Sequence, residues 1–283
     1  MNLPFQINLE NKVAVVTGGS GVLGSEVSKA LAMSGAKVAI LARNQKKIDQ
    51  VVYEIEQMGG EALGYSVDVL NKDKLENVRK KIISELGHCT ILINGAGGNH
   101  PGATTSHERF EKEDLENYEQ HSFFDLENEA VENIFNINFL GTLAPTQVFA
   151  QDMIQSEETT IINISSMNAY KPLTKIPAYS SAKAAISNFT QWLAVYFSKI
   201  GIRVNAIAPG FFLTEQNKDL LIKADGEYSE RAHKIISQTP MERFGNPKEL
   251  IGTLLWLVDH SSSSFVNGIV IPVDGGFSSY SGV

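Results

Sequence analysis

Tyr179 and Lys183, in the run Tyr-Ser-Ser-Ala-Lys, are the residues of this chain best placed by type and spacing to move a proton. Four residues apart on a helix, they share one face. An ammonium beside a phenol favours the phenolate and is expected to draw the tyrosine down from its ordinary value of about 10. A tyrosine tuned toward neutrality serves as a general acid or base. Chance supplies such a spacing about once in a few hundred residues; among the eight tyrosines here it occurs once. Two hydroxyls, Ser165 and Ser166, close the apolar run 161–164 just before this helix.

A second grouping is made of glycine. The stretch Thr17-Gly18-Gly19-Ser20-Gly21-Val22-Leu23-Gly24 follows an apolar run and opens a helical pattern. Gly19, Gly21 and Gly24 satisfy G-x-G-x-x-G, in which glycine permits a tight turn, close approach of backbone amides to a pyrophosphate, and close packing of helix on strand. The helix N-terminus adds partial positive charge for the phosphates. Gly18 through Leu23 are therefore expected to hold a dinucleotide; a glycine turn with no ligand is the plainer alternative. About 20 residues on, the adenosine ribose should be met at the end of the next strand. There the chain reads Leu41-Ala42-Arg43-Asn44. No acid is present to repel a 2′-phosphate, and Arg43 is suited to pair with one. The expectation is NAD(P), with NADP(H) slightly favoured over NAD(H), unless Arg43 is only a solvated residue of the next helix.

Stepping outward, these residues need a scaffold that brings them to one edge. Short apolar runs at 13–16, 38–41, 91–93, 161–164, 204–207 and 269–271 are continuous rather than alternating, as strands of a parallel sheet covered on both faces must be. Helical patterns fall between them at about 22–34, 44–58, 71–86, 126–155, 178–200 and 247–259. This order predicts an α/β fold, a doubly wound parallel sheet in a single domain spanning 1–283. Two stretches break the alternation, a polar insertion at about 98–125 and a segment at 211–245 expected to form a substrate lid. Both leave the sheet at its ligand-binding edge.

Composition excludes several classes. The chain has 283 residues, and its formal charge of −8 lies entirely in 108–132, where ten acids meet only Arg109 and Lys112. No basic stripe suggests nucleic acid, and no apolar run approaches the ~20 residues needed to span a bilayer. The N-terminus shows no secretory pattern, so a cytoplasmic protein is expected. One cysteine, Cys89, reads as a small core residue, and the six histidines have no ligand spacing, so no metal site is expected.

These motifs, in this order, resemble the short-chain dehydrogenase/reductase family, and the resemblance runs through nearly the whole chain. It implies a catalytic set of Asn138, Ser166, Tyr179 and Lys183, with Ser166 standing thirteen residues before the tyrosine. It further implies that Asp68 and Val69 meet the adenine, that Asn94, Gly95, Ala96 and Gly97 lie beside the adenosine ribose, and that Pro209, Gly210, Phe212 and Thr214 hold the nicotinamide end. Tyr179 would carry the hydroxyl proton, Ser166 would orient the oxygen, and Lys183 would hold the ribose and tune Tyr179. Two positions depart from the family pattern: Val22 stands for its middle glycine and Gly95 for its second asparagine.

A narrower similarity, in 94–101, 165–170, 211–217 and 275–283, is to the D-mannonate oxidoreductase (D-fructuronate reductase) branch. It implies a six-carbon sugar acid as substrate, whose carboxylate would need donors. Asn99, His100 and Lys175 are the candidates, with Lys171 beside them, although each is equally suited to plain surface. A reductase of another carbonyl, such as a ketogluconate or a 3-oxoacyl thioester, is the alternative. A dinucleotide-binding regulator without catalysis is a third reading, against which the four-residue catalytic set stands. The family also implies a homotetramer, and the apolar stripe of 178–200 fits helix packing between copies. Finally, an acidic wall would repel a uronate, so the carboxylates of 108–132 are expected to face solvent, with only the Asn99–His100 end reaching the substrate.

Overall fold

The computed structural model describes residues 7–117, 119–214 and 217–282. Glu215, Gln216 and Val283, part of the sugar-acid similarity, lie outside the described residues. Seven strands form one parallel sheet in the order β3-β2-β1-β4-β5-β6-β7. They are β1 (Val13–Thr17), β2 (Lys37–Ala42), β3 (Glu61–Ser66), β4 (Ile91–Asn94), β5 (Thr160–Ile164), β6 (Arg203–Pro209) and β7 (Val270–Val273). The helices between them are α1 (Val22–Met33), α2 (Gln45–Gln57), α3 (Lys72–Glu85), α4 (Asn128–Phe135), α5 (Gly141–Met153), α6 (Pro177–Tyr196), α7 (Lys218–Leu221), α8 (Glu230–Ser237), α9 (Ile251–Val258) and α10 (His260–Ser263). The doubly wound sheet expected from the apolar runs is therefore present.

Side chains alternate across the sheet as strand geometry requires. Ala14, Val16, Val38 and Ile40 pack under α1, α2 and α9, while Val13, Val15, Ala39 and Leu41 pack under α3, α5 and α6. Both faces are buried, which is why the strands read as unbroken apolar runs. The centre also carries a polar chain. Asn94 donates to Thr146 at 3.0 Å and to Asn163 at 2.8 Å, and Asn163 donates to Thr190 at 2.9 Å. This links α5, β4, β5 and α6 through the core.

Two sequence expectations need correction. Strand β3 went unread, because Glu-Ala-Leu-Gly-Tyr-Ser alternates weakly and lies on the sheet edge. The helix expected over 126–155 is three pieces, with a π-helical turn at Asn136–Leu140 between α4 and α5. Such turns contain one residue more than an α-helix would and often mark functional sites.

The sheet reverses its order between β1 and β4, and a crevice opens there outside the strand C-termini. Thr17, Asn94 and Asn163 are in register across β1, β4 and β5. The loops beginning at Gly18, Gly95 and Ile164 consequently leave the sheet side by side.

Candidate active site

Gly18 shows how closely those loops meet. Its φ is +66°, and a Cβ there would lie 2.7 Å from the Gly95 carbonyl oxygen. A side chain at 18 would push β1 and β4 apart. Helix α1 then starts at Gly21 with no side-chain cap, whereas Asn44 and Asn71 cap α2 and α3. The first turn of α1 thus keeps its backbone donors for something else. An uncapped helix start behind glycines, with no acid in its first turn, fits a dinucleotide's pyrophosphate.

The acid–base residues come from three elements. Pro177 opens α6, where its missing N–H costs nothing, and one turn of that helix separates Tyr179 from Lys183. Ser166 ends the β5 loop and caps the short turn Met167–Ala169, accepting from Asn168 N at 3.3 Å. The Ser166 hydroxyl lies close enough to the Tyr179 phenol to favour its ionised form. Lys183 is 4% exposed; its Nζ lies 5.6 Å from the Tyr179 ring and donates to the Ile164 carbonyl at 2.9 Å. Asn138, fully buried in the π turn, donates to Gly98 O and Ile134 O at 2.8 Å each. A Cβ on Gly97 would lie 2.7 Å from Asn138 Oδ1 and 3.2 Å from Lys183 Nζ, so the two side chains meet across that glycine.

The electrostatics differ from the expectation in one respect. Burial pushes the Tyr179 phenol up, with Ser166 pulling it partly back, and Lys183 does not bring it toward neutrality. Burial also lowers the Lys183 ammonium, to about 8, and its hydrogen bond goes to Ile164 O rather than to the phenol. Tyr179 therefore holds its proton at neutral pH, which suits an acid that protonates a nascent alkoxide.

One cleft of about 370 Å³, open to solvent, collects most of the expected residues. Gly18, Gly21, Val22, Leu23, Gly95, Gly97, Ser166, Tyr179, Lys183, Pro209, Gly210, Phe212 and Thr214 all border it. Others stand elsewhere. Gly19 is packed beneath the turn, where a Cβ would meet Val16 O at 2.9 Å, while Ser20 and Ala96 are half-buried on the flanking loops. Arg43 is exposed, the Asn44 side chain caps α2 by accepting from Lys47 N at 3.1 Å, and Asp68 accepts from Leu70 N at 3.0 Å. Val69 is buried against Gly141, leaving only its backbone for a ligand. Asn94 is a correction: its side chain is 1% exposed and belongs to the polar chain through the core, so its amide cannot touch a cofactor.

None of the three substrate candidates borders the cleft. His100 Nδ1 accepts from Gly102 N at 3.1 Å, and Asn99 donates to Thr104 at 3.4 Å; both residues are exposed. Lys175 is half-buried with φ +73°, and its carbonyl accepts from Thr105 N at 2.9 Å. Lys171 donates to Tyr280 O at 2.7 Å and lies over the Phe277 ring, tying down the C-terminal segment. Ser165 borders the cleft, but its hydroxyl is engaged with Lys183 O and Ser187, in keeping with a structural role. Phe211 and Asn217 also border it, and sequence reasoning assigned them no role. For Asn217 the available signal was an asparagine directly before a helix.

Nine of the ten acids in 108–132 are exposed. Asp114 is the exception, drawn inward because it accepts from Glu111 N at 3.1 Å and pairs with His107 at 2.8 Å. Glu108 forms an ion pair with Lys234 of α8, joining the insertion to the segment 211–245. Among the described residues no group of three or more His, Cys, Asp or Glu could hold a metal ion, and no helix is long and apolar enough to cross a membrane.

Residues 12–224 match the short chain dehydrogenase family model. An uncharacterized oxidoreductase of Haemophilus influenzae is 56% identical over 283 residues, covering 100% of this chain and 99% of that one. The gluconate 5-dehydrogenase of Gluconobacter oxydans is 32% identical, with 98% of each chain covered. Among solved structures, a Haemophilus protein provisionally named D-mannonate oxidoreductase, with bound NAD, superposes with a TM-score of 0.94 at 55% identity over 98% of both chains.

Proposed function

The chain belongs to the short-chain dehydrogenase family, and we propose that it interconverts a ketone and a secondary alcohol on a sugar acid, D-fructuronate and D-mannonate being the favoured pair. The convergence of Ser166, Tyr179 and Lys183 on one cleft behind an uncapped helix start, with buried Asn138 holding Gly98 beneath them, carries the chemical part of this reading. The sugar acid rests on the Haemophilus relative and on the matched stretches of sequence. In this reading the turn Gly18–Leu23 holds the pyrophosphate, Pro209–Thr214 holds the nicotinamide end, and a bound dinucleotide would supply or accept the hydride.

The chain's own residues supply the rest. Ser166 and Tyr179 offer two donors to the substrate oxygen, preorganised where negative charge develops. Tyr179 releases its phenolic proton to that oxygen in reduction and takes it back in oxidation. The Lys183 ammonium, 5.6 Å from the Tyr179 ring, offers donors to a ribose. Asn138 fixes Gly98 and with it the floor of the cleft. The segment 211–245 serves as the lid, and the enzyme works in the cytoplasm as a homotetramer, with the exposed Trp192, Val195 and Tyr196 of α6 covered by another copy.

Cofactor choice is set at the end of β2. Exposed Arg43 and the lack of an acid there leave room for a 2′-phosphate and slightly favour NADP(H), while the NAD carried by the Haemophilus structure supports the 2′-hydroxyl form as well. The test is to follow oxidation of NADH and NADPH with fructuronate, tagaturonate, 5-ketogluconate and an acetoacetyl thioester. Turnover with a uronate is expected. Turnover confined to 5-ketogluconate or the thioester would move the substrate to the alternative reading, toward which the Gluconobacter relative leans. Tyr179→Phe should bind dinucleotide normally yet lose at least about a thousandfold in turnover; near-normal turnover would remove Tyr179 from the mechanism.

A further inference from the structure

Four asparagines stand immediately before a helical segment: Asn44 before α2, Asn71 before α3, Asn217 before α7 and Asn246 before the turn Pro247–Leu250. Three of them cap forward. Asn44 accepts from Lys47 N at 3.1 Å, Asn71 from Lys74 N at 3.0 Å and Asn246 from Lys248 N at 3.0 Å. Asn217 makes no such bond to its own helix. Its amide turns back toward β6, where Oδ1 accepts from Thr214 N at 2.8 Å and Nδ2 donates to Phe212 O at 2.8 Å. A forward cap stabilises a helix start, and α7 goes without it.

The segment that receives these two bonds borders the cleft at Phe211, Phe212 and Thr214, as does Asn217 itself. Phe212 is anchored independently, its ring lying where a Cβ on Gly245 would be 2.6 Å from Cε1. The segment is thus held on one side by the bridge to Gly245, with Leu213 N donating to Gly245 O at 3.0 Å and Gly245 N to Phe211 O at 2.9 Å, and on the other by the Asn217 amide, which takes the groups that bridge leaves.

We propose that Asn217 is a positioning residue for hydride transfer: by clasping Phe212 O and Thr214 N it holds the nicotinamide end of the cofactor site against the Tyr179 face. The role rests on the dinucleotide reading of the cleft. The adenosine end, assigned to the loops after β2, β3 and β4, supplies neither partner of this clasp. Loss of the clasp therefore lowers the fraction of bound cofactor in reactive geometry more than it lowers binding, and a misplacement near 1 Å costs on the order of a hundredfold in rate.

The test uses Asn217→Ala and Asn217→Asp, with Asn71→Ala as a forward-capping control. Three readouts are taken: amide hydrogen exchange of 211–221 without dinucleotide, dinucleotide Kd by fluorescence titration, and kcat with protiated and deuterated reduced dinucleotide. For Asn217→Ala, faster exchange is expected, with kcat at least about tenfold lower, a larger isotope effect and Kd within about threefold. Asn71→Ala should lower the unfolding midpoint and leave the isotope effect alone. Unchanged kcat and isotope effect, or a kcat loss matched by an equal loss of dinucleotide affinity, overturn the proposal. Should the alanine variant fail to fold, Asn217→Asp decides, since it keeps the acceptor for Thr214 N and sets a carboxylate against Phe212 O. Wild-type protein that binds neither dinucleotide defeats the cofactor reading itself, an outcome separable from failure of the clasp.

Discussion

The two long connections at the ligand edge, the insertion at 98–125 and the segment 211–245 proposed above as a lid, are held together by different physics. The lid has its own apolar centre, in which Leu221, Ala232 and Phe244 are buried and Phe211, Leu213 and Ile235 pack around them. The insertion has almost none. Its aromatic residues Phe110, Phe123 and Phe124 are 50%, 65% and 68% exposed, and they meet edge-to-face on the surface. Its order comes from polar bonds: Asp114 to Glu111 N, Ser122 to Asp125, and His121 with Thr104 O at 2.8 Å. A body with a core can swing as a unit about its ends. A body held by single hydrogen bonds keeps its shape only while each bond survives.

That difference is open to attack by mutation and by pH. The largest effect is expected from Phe244→Ala, which removes a buried ring from the lid centre at a local cost of about 3 kcal/mol. Turnover should fall at least about tenfold, and amide exchange should quicken across 211–245 while the sheet stays protected. Equal loosening of the sheet would show that the lid is not a separate body. A smaller effect is expected from acid. The backbone of Glu111, with help from His107, holds the Asp114 carboxyl below its ordinary 3.8. A group lowered on folding stabilises the fold above its unfolded value and loses that contribution as pH falls through its folded one. Limited proteolysis should therefore cut the insertion before the lid as pH drops below about 4, and Asp114→Asn should bring that cleavage on at neutral pH. Cleavage of the lid first would reverse the comparison. The smallest effect belongs to the exposed acids: Glu113→Gln, Glu116→Gln and Glu119→Gln together should change KM for an anionic substrate less than twofold. A larger change would place those carboxylates in the field of the cleft.

Most of the site was legible because spacing carried it. Tyr179 and Lys183 declare a shared helix face, Ser166 ends an apolar strand, and the glycines follow another, so a linear pattern maps onto one edge of the sheet. Strand β3 was missed because an edge strand needs only part of one face buried and so leaves little apolar signal. Asn94 was misread because the segment it begins does border the cleft, and only the sheet's pleat sends its side chain inward. The tyrosine's tuning was misjudged because spacing reports which groups are near and says nothing of how deeply a phenol is buried. Asn217 was invisible for a related reason: a cap that turns backward has the same sequence as one that turns forward.

The π turn at Asn136–Leu140 also limits how the chain can change in length. Deleting a single codon there would relax the turn into ordinary α-helix and leave the helix faces on either side in phase, because the turn already absorbs the extra residue. Val148, Phe149 and Met153 would keep their places against the sheet, while Asn138 would leave Gly98. Loops elsewhere can gain or lose residues at little cost, but a residue lost across these five positions is felt at the Asn138 contact rather than in the core.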